Sequence, residues 1–471
     1  MFVNGYSQKD MHTKNVKFTA AIQSIISSDT IKPFWSRVNK YGTVPLKGNM
    51  LAIDLRVVKE FDSLFTDKKI LKKLGFGYGV RALGSVNNKK SILFLPEAYV
   101  KVRHKHFELY VGKRQEVFGL VDTVASSGSY IWSGNAMPLP KLQVHTPGYL
   151  PITKKGFLSI KAGLSHGWFS DNGIVKNHWL HQKWLYGKIG RKDSKVQFSA
   201  GINHQVMWGG YSEVLKNVGG EIPPTIDGYL APFPLYSYQF VLIPFLQKII
   251  LPDGNKVPGY DGGLAIGNQL GSVDLAFDIK IGGSSLLVYT QQPYDFARSL
   301  YNLNNIEDGL YGISLRIKNK IINKVCFEYF DTRSQGRYLF GKLQPSNYGE
   351  IDNYFSHGQY QSWSNHGNII GSPFIIDEIY SKSNDILSNR VFYYYGSVFG
   401  KVFDLDYAFK FASSSNLGTY FREINKKQNS MNLSFSKSVK RHFLIGLDFS
   451  MDRGYLYPNT IAFGIKANYQ Y

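Results

Sequence analysis

Apolar and polar residues alternate with a period of two along much of this chain. Near its end, Ile461, Phe463, Ile465, Ala467, Tyr469 and Tyr471 alternate with Ala462, Gly464, Lys466, Asn468 and Gln470. Successive side chains on a strand point to opposite faces, so the run predicts a strand with one apolar face and one small or polar face. The same division runs through 51–58, 273–281, 311–318, 403–412 and 443–451, whose apolar rows begin at Leu51, Val273, Tyr311, Phe403 and Phe443. Such runs approach the roughly 9–11 residues that a tilted strand needs to cross a bilayer, against a soluble mean of about 5–6. Residues 16–26 read as a first strand of the same kind. The pattern therefore predicts an all-β fold, a transmembrane antiparallel β-barrel of about 18 strands occupying 16–471 as one domain, since closed bacterial barrels prefer even strand numbers.

Helical membrane spans are excluded on length. No run of about 18 apolar residues exists, and the nearest, 236–251, is interrupted by Gln239, Pro244, Gln247 and Lys248. Three stretches, 119–140, 211–271 and 343–389, lack alternation and are rich in Gly, Pro, Ser or Asn. Loops of that length are usually functional, and they are expected to be ordered and to occlude the lumen in part.

Composition sharpens this picture. The 32 Tyr, 32 Phe and 7 Trp suit the aromatic girdles of membrane barrels, while the mean hydropathy of −0.21 suits strands that hide their apolar residues at alternate positions. A net charge of +21 would ordinarily suggest nucleic acid. Here the basic residues are scattered through strands and turns, without a basic block or zinc spacing, which fits a basic lumen and loops facing an acidic polymer or lipopolysaccharide phosphates. The single Cys326 excludes an intramolecular disulfide framework. Residues 1–15 read as the remnant of a secretory signal peptide whose apolar part lies upstream.

Short pieces in the irregular stretches carry a family likeness. They are Gly112-Lys113-Arg114-Gln115, Gly119-Leu120-Val121-Asp122, Ser126-Ser127-Gly128 and Ser133-Gly134-Asn135-Ala136-Met137-Pro138-Leu139-Pro140, followed by His181-Gln182-Lys183, Gly201-Ile202-Asn203-His204 and Trp208-Gly209-Gly210. Further on come Asp308-Gly309-Leu310-Tyr311-Gly312, Asp352-Asn353-Tyr354, Gly371-Ser372-Pro373-Phe374, Asn389-Arg390 and Asn416-Leu417-Gly418-Thr419-Tyr420. In this order the chain resembles the capsule assembly Wzi family over about residues 110–420. The resemblance implies a cell-surface outer-membrane lectin for capsular polysaccharide or exopolysaccharide, non-catalytic and without cofactor. Its implied partners are acidic polysaccharide, outer-membrane lipid and lipopolysaccharide, and the barrel-assembly machinery during biogenesis. Better-known members begin with a helical plug; here the plug must be absent, reduced or built from internal loops.

Within those pieces Arg114, Asp122, Asn135, His204, Trp208, Asp352, Asn353, Tyr354 and Arg390 are candidate polysaccharide contacts. Tyr354, His357, Tyr360 and Trp363 form an aromatic series spaced by three, with Asn365 and His366 beside it. Sugars present apolar C–H faces to such rings; the alternative is a membrane-interface girdle. Glu328 is expected on the lumen face, bonding sugar hydroxyls or, more simply, pairing with Lys or Arg of a neighbouring strand. His104 and His106 could share a strand face and chelate a metal, but no third ligand stands at a telling spacing. Ser127 and Ser133 raise a barrel hydrolase, without a G-x-S-x-G elbow to support it. A porin or glycan channel is the main rival reading.

Overall fold

The computed structural model describes residues 16–61, 74–87, 90–170, 173–219, 223–243, 266–295, 297–339, 342–343, 352–377 and 386–471. The segment 1–15, read above as a signal remnant, lies outside them. Six strands open the chain: β1 (Val16–Ser27), β2 (Met50–Lys59), β3 (Gly75–Asn87), β4 (Lys90–His104), β5 (Phe107–Lys113) and β6 (Pro140–His145). Next come β7 (Leu158–Trp168), β8 (Trp179–Ile189), β9 (Val196–Trp208), β10 (Asn268–Ile281), β11 (Ser284–Tyr294) and β12 (Gly309–Arg316). The last six are β13 (Lys324–Asp331), β14 (Val391–Val402), β15 (Leu405–Gly418), β16 (Glu423–Lys440), β17 (Phe443–Gly454) and β18 (Thr460–Gln470). Each pairs antiparallel with its sequence neighbour, and a short segment, Leu150–Pro151, adds to β7 after β6. β1 also pairs with β18, Ile22 opposite Ala467, so the 18 strands close into a barrel.

The two faces of the wall are as the alternation requires. Leu51, Ile53 and Leu55 of β2 point outward and are exposed, while Ala52 and Asp54 between them are buried. Phe443, Ile445 and Leu447 repeat this on β17, and Ile461, Phe463 and Ile465 on β18. Leaving one such side chain in water forgoes about 1.5–3 kcal/mol, and a belt of them is stable only against lipid. Inside, aromatics lie over glycines of the neighbouring strand: a Cβ on Gly201 would stand 2.2 Å from the Tyr186 ring opposite it, and one on Gly312 2.2 Å from Tyr289. Two runs are shorter than their alternation suggests. Phe403 and Asp404 take left-handed φ of 48° and 62° and form the two-residue turn that joins β14 to β15. Ile317 and Lys318 lie beyond the end of β12.

The ends of the barrel differ. At one end, tight turns such as 105–106, 282–283, 403–404 and 441–442 join the strands; at the other lie 28–49, 114–139, 169–178, 209–267, 295–308 and 332–390. Among the described residues four short helices occur in these connections: α1 (Phe34–Arg37), α2 (Glu213–Lys216), α3 (Pro234–Leu242) and α4 (Ala297–Asn302). Segments 28–49, 114–139 and 352–377 fold back into the lumen. Phe34, Trp35, Phe118, Tyr130, Trp132, Tyr354, Trp363 and Phe374 pack there against Trp184, Tyr186, Tyr289, Phe330, Tyr393 and Tyr395 of the inner wall. The plug is thus built from internal loops.

Candidate functional site

The plug is fastened to the wall by charge and by backbone groups. Within the wall itself, around β2–β4, Arg81 pairs with Asp54 at 2.6 Å, Arg56 with Glu97 at 2.7 Å and Lys101 with Glu60 at 2.5 Å. Deeper in the loops, Lys141 of β6 holds Glu116 at 2.7 Å, and Lys324 of β13 holds Asp122 at 2.8 Å. Buried charges persist when paired, and this part of the lumen, expected from composition to be basic, is a ladder of matched signs. Burial pushes the Glu116 carboxyl up, but Lys141 and Arg114 beside it outweigh this and hold it near 2.

The candidate residues fall into three places. Arg114, Asp122, Asn135 and Glu328 lie within the lumen. Arg114 pairs with Glu108 and covers the Tyr99 and Tyr110 rings. Asp122 accepts from the Val124 and Ala125 amides and from Ser314 Oγ at 2.7 Å, and Asn135 Nδ2 donates to the Ile369 carbonyl. Glu328 does face the lumen. Its hydrogen bonds come from the Ser127 amide at 2.8 Å and the Tyr289 hydroxyl at 2.5 Å, not from the neighbouring-strand Lys or Arg expected above, because a plug loop reaches it first.

His204 and Trp208 lie on the outer face of β9, on the same side as Ile202 and Val206, while Asn203, Gln205 and Met207 point inward. They stand where β9 ends and a long connection begins. The alternation of 196–208 was the signal that places them on the outside wall.

The third group gathers at the long-loop mouth. Asp352 is buried and accepts from the Asp295 amide and Ser299 Oγ. Asn353 Oδ1 accepts from Asn389 Nδ2 at 2.7 Å, next to Arg390. Tyr354, Tyr360 and Trp363 are buried in the plug core, Tyr354 donating to Asp308 and Tyr360 to the Gly209 carbonyl. His357 is half-buried, its Nδ1 accepting from the Gln359 amide. The series is neither a girdle facing lipid nor a row of open ring faces; it is packing.

What this mouth also holds is a part-buried cationic stack that the candidate set included only through Arg390, whose side chain is 12% exposed. The Tyr420 ring has Arg337 Cζ 3.5 Å and Arg390 Cζ 3.8 Å from its centroid. Two guanidinium groups that near one centroid cannot share a face, so the ring is sandwiched. The Tyr420 hydroxyl is tied to the Arg333 carbonyl at 2.8 Å, and Arg333 pairs with Asp331 while covering Phe392. Arg390 reaches Glu423 at 3.2 Å, yet its Nε has no acceptor among the described residues. Arg337 donates to the Asp352 carbonyl. Planar guanidiniums held by stacking keep their N–H edges for a carboxylate or phosphate. Tyr420 closes the Asn416–Tyr420 piece of the family likeness; Arg337 belongs to no such piece, and nothing in its local sequence marks it.

Catalytic and metal arrangements find little support. β4 ends at His104, and Lys105 turns the chain at φ 53°, so His104 and His106 do not share a strand face. Among the described residues no three of His, Cys, Asp and Glu form a metal-sized group. Ser127 Oγ bonds the Tyr393 hydroxyl, and Ser133 Oγ the Gly371 carbonyl. Cys326 is buried against Tyr289.

No sequence family and no curated protein matches the chain. Solved structures do. Wzi, an outer membrane protein of Escherichia coli, superposes over 95% of this chain and 83% of its own at 12% identity, with a TM-score of 0.56. OccAB2 of Acinetobacter baumannii covers 97% and 98% at 10% identity and 0.47, and OccD3 of Pseudomonas aeruginosa 97% and 91% at 9% and 0.45. The resemblance read from the sequence therefore holds at the level of the fold, that of an outer-membrane β-barrel.

Proposed function

We propose that this barrel is a non-catalytic lectin of the outer membrane, whose long-loop mouth binds an anionic surface polysaccharide for its assembly or attachment. The observation that carries the reading is the Arg337–Tyr420–Arg390 stack, a pre-formed pair of anion-binding edges on a rim fixed by a packed plug. Long loops of outer-membrane barrels face outward, which puts this rim at the cell surface. The Escherichia coli neighbour, described as a carbohydrate-binding β-barrel involved in group 1 capsule assembly, lends the reading its ligand class. Of the residues named from sequence, Arg390, Asn353 and His357 remain the candidates for contact, with Asp352 and Tyr354 positioning them. Arg114, Asp122, Asn135 and Glu328 hold the plug.

The test is binding of an acidic polysaccharide to the detergent-solubilised barrel. Arg337→Ala with Arg390→Ala should weaken binding about tenfold or more at low salt, since each charge-assisted hydrogen bond contributes about 1.5–3 kcal/mol. Arg390→Lys keeps the charge but not the planar fork, and should fall between. Unchanged binding in the double variant removes the stack from the site. Wild type that binds no acidic polysaccharide at any salt removes the lectin reading itself.

A further inference from the structure

Not every long loop enters the lumen. The chain leaves β9 at the long-loop mouth at Gly209, and helix α3 of the connection that follows lies against the outside of the wall. Val206 and Trp208, which point outward from β9, pack with Ala231, Phe240, Val241 and Ile266, and with Trp179, Tyr236 and Tyr238 around them, as a core separate from the plug. Beneath this element the outer wall is unlike the belt elsewhere. His166 of β7, His181 and Lys183 of β8 and His204 of β9 share the outward parity of Leu164, Leu185 and Ile202. A lysine on the lipid face costs about 2–4 kcal/mol at the bilayer midplane and less towards the interface. Here α3 answers it: Lys183 Nζ donates to the Leu242 carbonyl at 2.6 Å and the Val241 carbonyl at 3.3 Å. Tyr238 bonds His181 and stacks near Trp208, at 5.5 Å between centroids.

The opposite face of α3 has no such partner among the described residues. Ser237, Phe240 and Val241 turn to the wall, whereas Leu235 is 93% exposed and the preceding Phe233 52%. The bare apolar belt on β8 begins only at Leu185 and runs to Ile189. Five residues of strand span about 16 Å, well short of the roughly 25 Å apolar band of outer-membrane barrels. We propose that α3 completes the belt here: Phe233 and Leu235 are its lipid-facing surface in the outer leaflet, seated in acyl chains, and the helix shields a polar stripe of the wall that lipid would not tolerate. Continuity with the lipid-facing wall on Leu185 and Leu164 decides for acyl chains over a second copy of the chain.

Cys326 is buried, so Leu235→Cys gives one reactive thiol for an environment-sensitive fluorophore in vesicle-reconstituted protein. The label should emit as in hydrocarbon, be quenched several-fold by brominated acyl chains and resist aqueous iodide. Strong iodide quenching without a bromolipid effect would put α3 in water and overturn the proposal. Protection from both quenchers with a cross-linkable dimer would hand the face to a second copy, and overturn it too. A second variant needs no label. Trp168, Trp179 and Trp208 lie at this patch while Trp35, Trp132, Trp184 and Trp363 belong to the lumen core. Leu235→Glu should dislodge α3, uncover Trp179 and Trp208 and raise bromolipid quenching of intrinsic fluorescence. Unchanged quenching in an assembled barrel counts against lipid contact.

Discussion

Phe463 and Lys466 stand three positions apart on β18 and face opposite media. Phe463 is exposed on the outer wall beside Phe449 of β17, and Lys466 is half-buried on the lumen side between Gln23 and Gly446. Phe463→Asp should therefore impair assembly, at a cost of up to a few kcal/mol in mid-bilayer. Lys466→Asp should assemble nearly as wild type, with heat-modifiable gel migration as the readout; equal damage from both would refute the facing. At this scale parity makes much of the molecule legible in the sequence. Ile461, Phe463 and Ile465 are where the alternation put them, and Glu328 faces inward as expected. Its partners were not legible, because Ser127 comes from a loop about 200 positions away and no periodicity connects them. His204 and Trp208 stand at the strand end that enters a loop, as their place in the chain suggests, and their parity turns them to the outer wall.

Loops were the less legible elements. Tyr354, Tyr360 and Trp363 looked like a display because they recur among polar residues. In fact the polar residues turn the chain through the short hairpins Ser356–His357 with Gln361–Ser362 and Ser364–Asn365 with Asn368–Ile369, and the rings fill the space between. The same loops hold carboxylates away from water. Burial pushes Asp308, which accepts from the Ser334 and Gln335 amides and the Tyr354 hydroxyl, up to about 7. Burial and then the charge of Asp352 also raise Asp295 well above the usual range. A carboxyl whose folded pKa lies above its unfolded value keeps its full stabilisation below about pH 4, and that is lost as pH rises towards the folded pKa. Thermal stability in detergent should fall between about pH 4 and 7, and Asp308→Asn should flatten the profile. A profile that is flat in wild type, or parallel in the two proteins, would exclude Asp308 as its source.

For the molecule as a whole, the packed lumen gives the proposed lectin and the rival channel different expected conductances. Segments 28–49, 114–139 and 352–377 meet in one core with the inner wall, and Trp35 is pinned to the Ser430 carbonyl, Phe34 to Asp452. In a planar bilayer the wild-type barrel should be nearly silent. Trp363→Ala, which removes a fully buried ring and costs about 3–5 kcal/mol, should loosen the plug and produce measurable current. Large, steady wild-type conductance would favour the porin reading. The architecture, about 18 strands with occluding loops, was foreseeable from repetition. The assembly of the plug was not, since its contacts join segments more than 200 residues apart, as Ser133 does with Gly371.

The seam between β1 and β18 has a consequence for the order of folding events. Residues 19–27 pair with 462–470, the most widely separated strands of the wall. Every other wall strand can zip onto a neighbour close to it in sequence, whereas this pair must wait for the whole sheet to curl. Until it does, two long edges stay unpaired and open to a wrong partner strand. Loop 28–49 leaves β1 directly and docks α1 on β16 and β17, next to β18. Its docking draws the two edges together, so closure and sealing of the lumen become a single late step, slow for the same reason that long-range pairing is slow elsewhere.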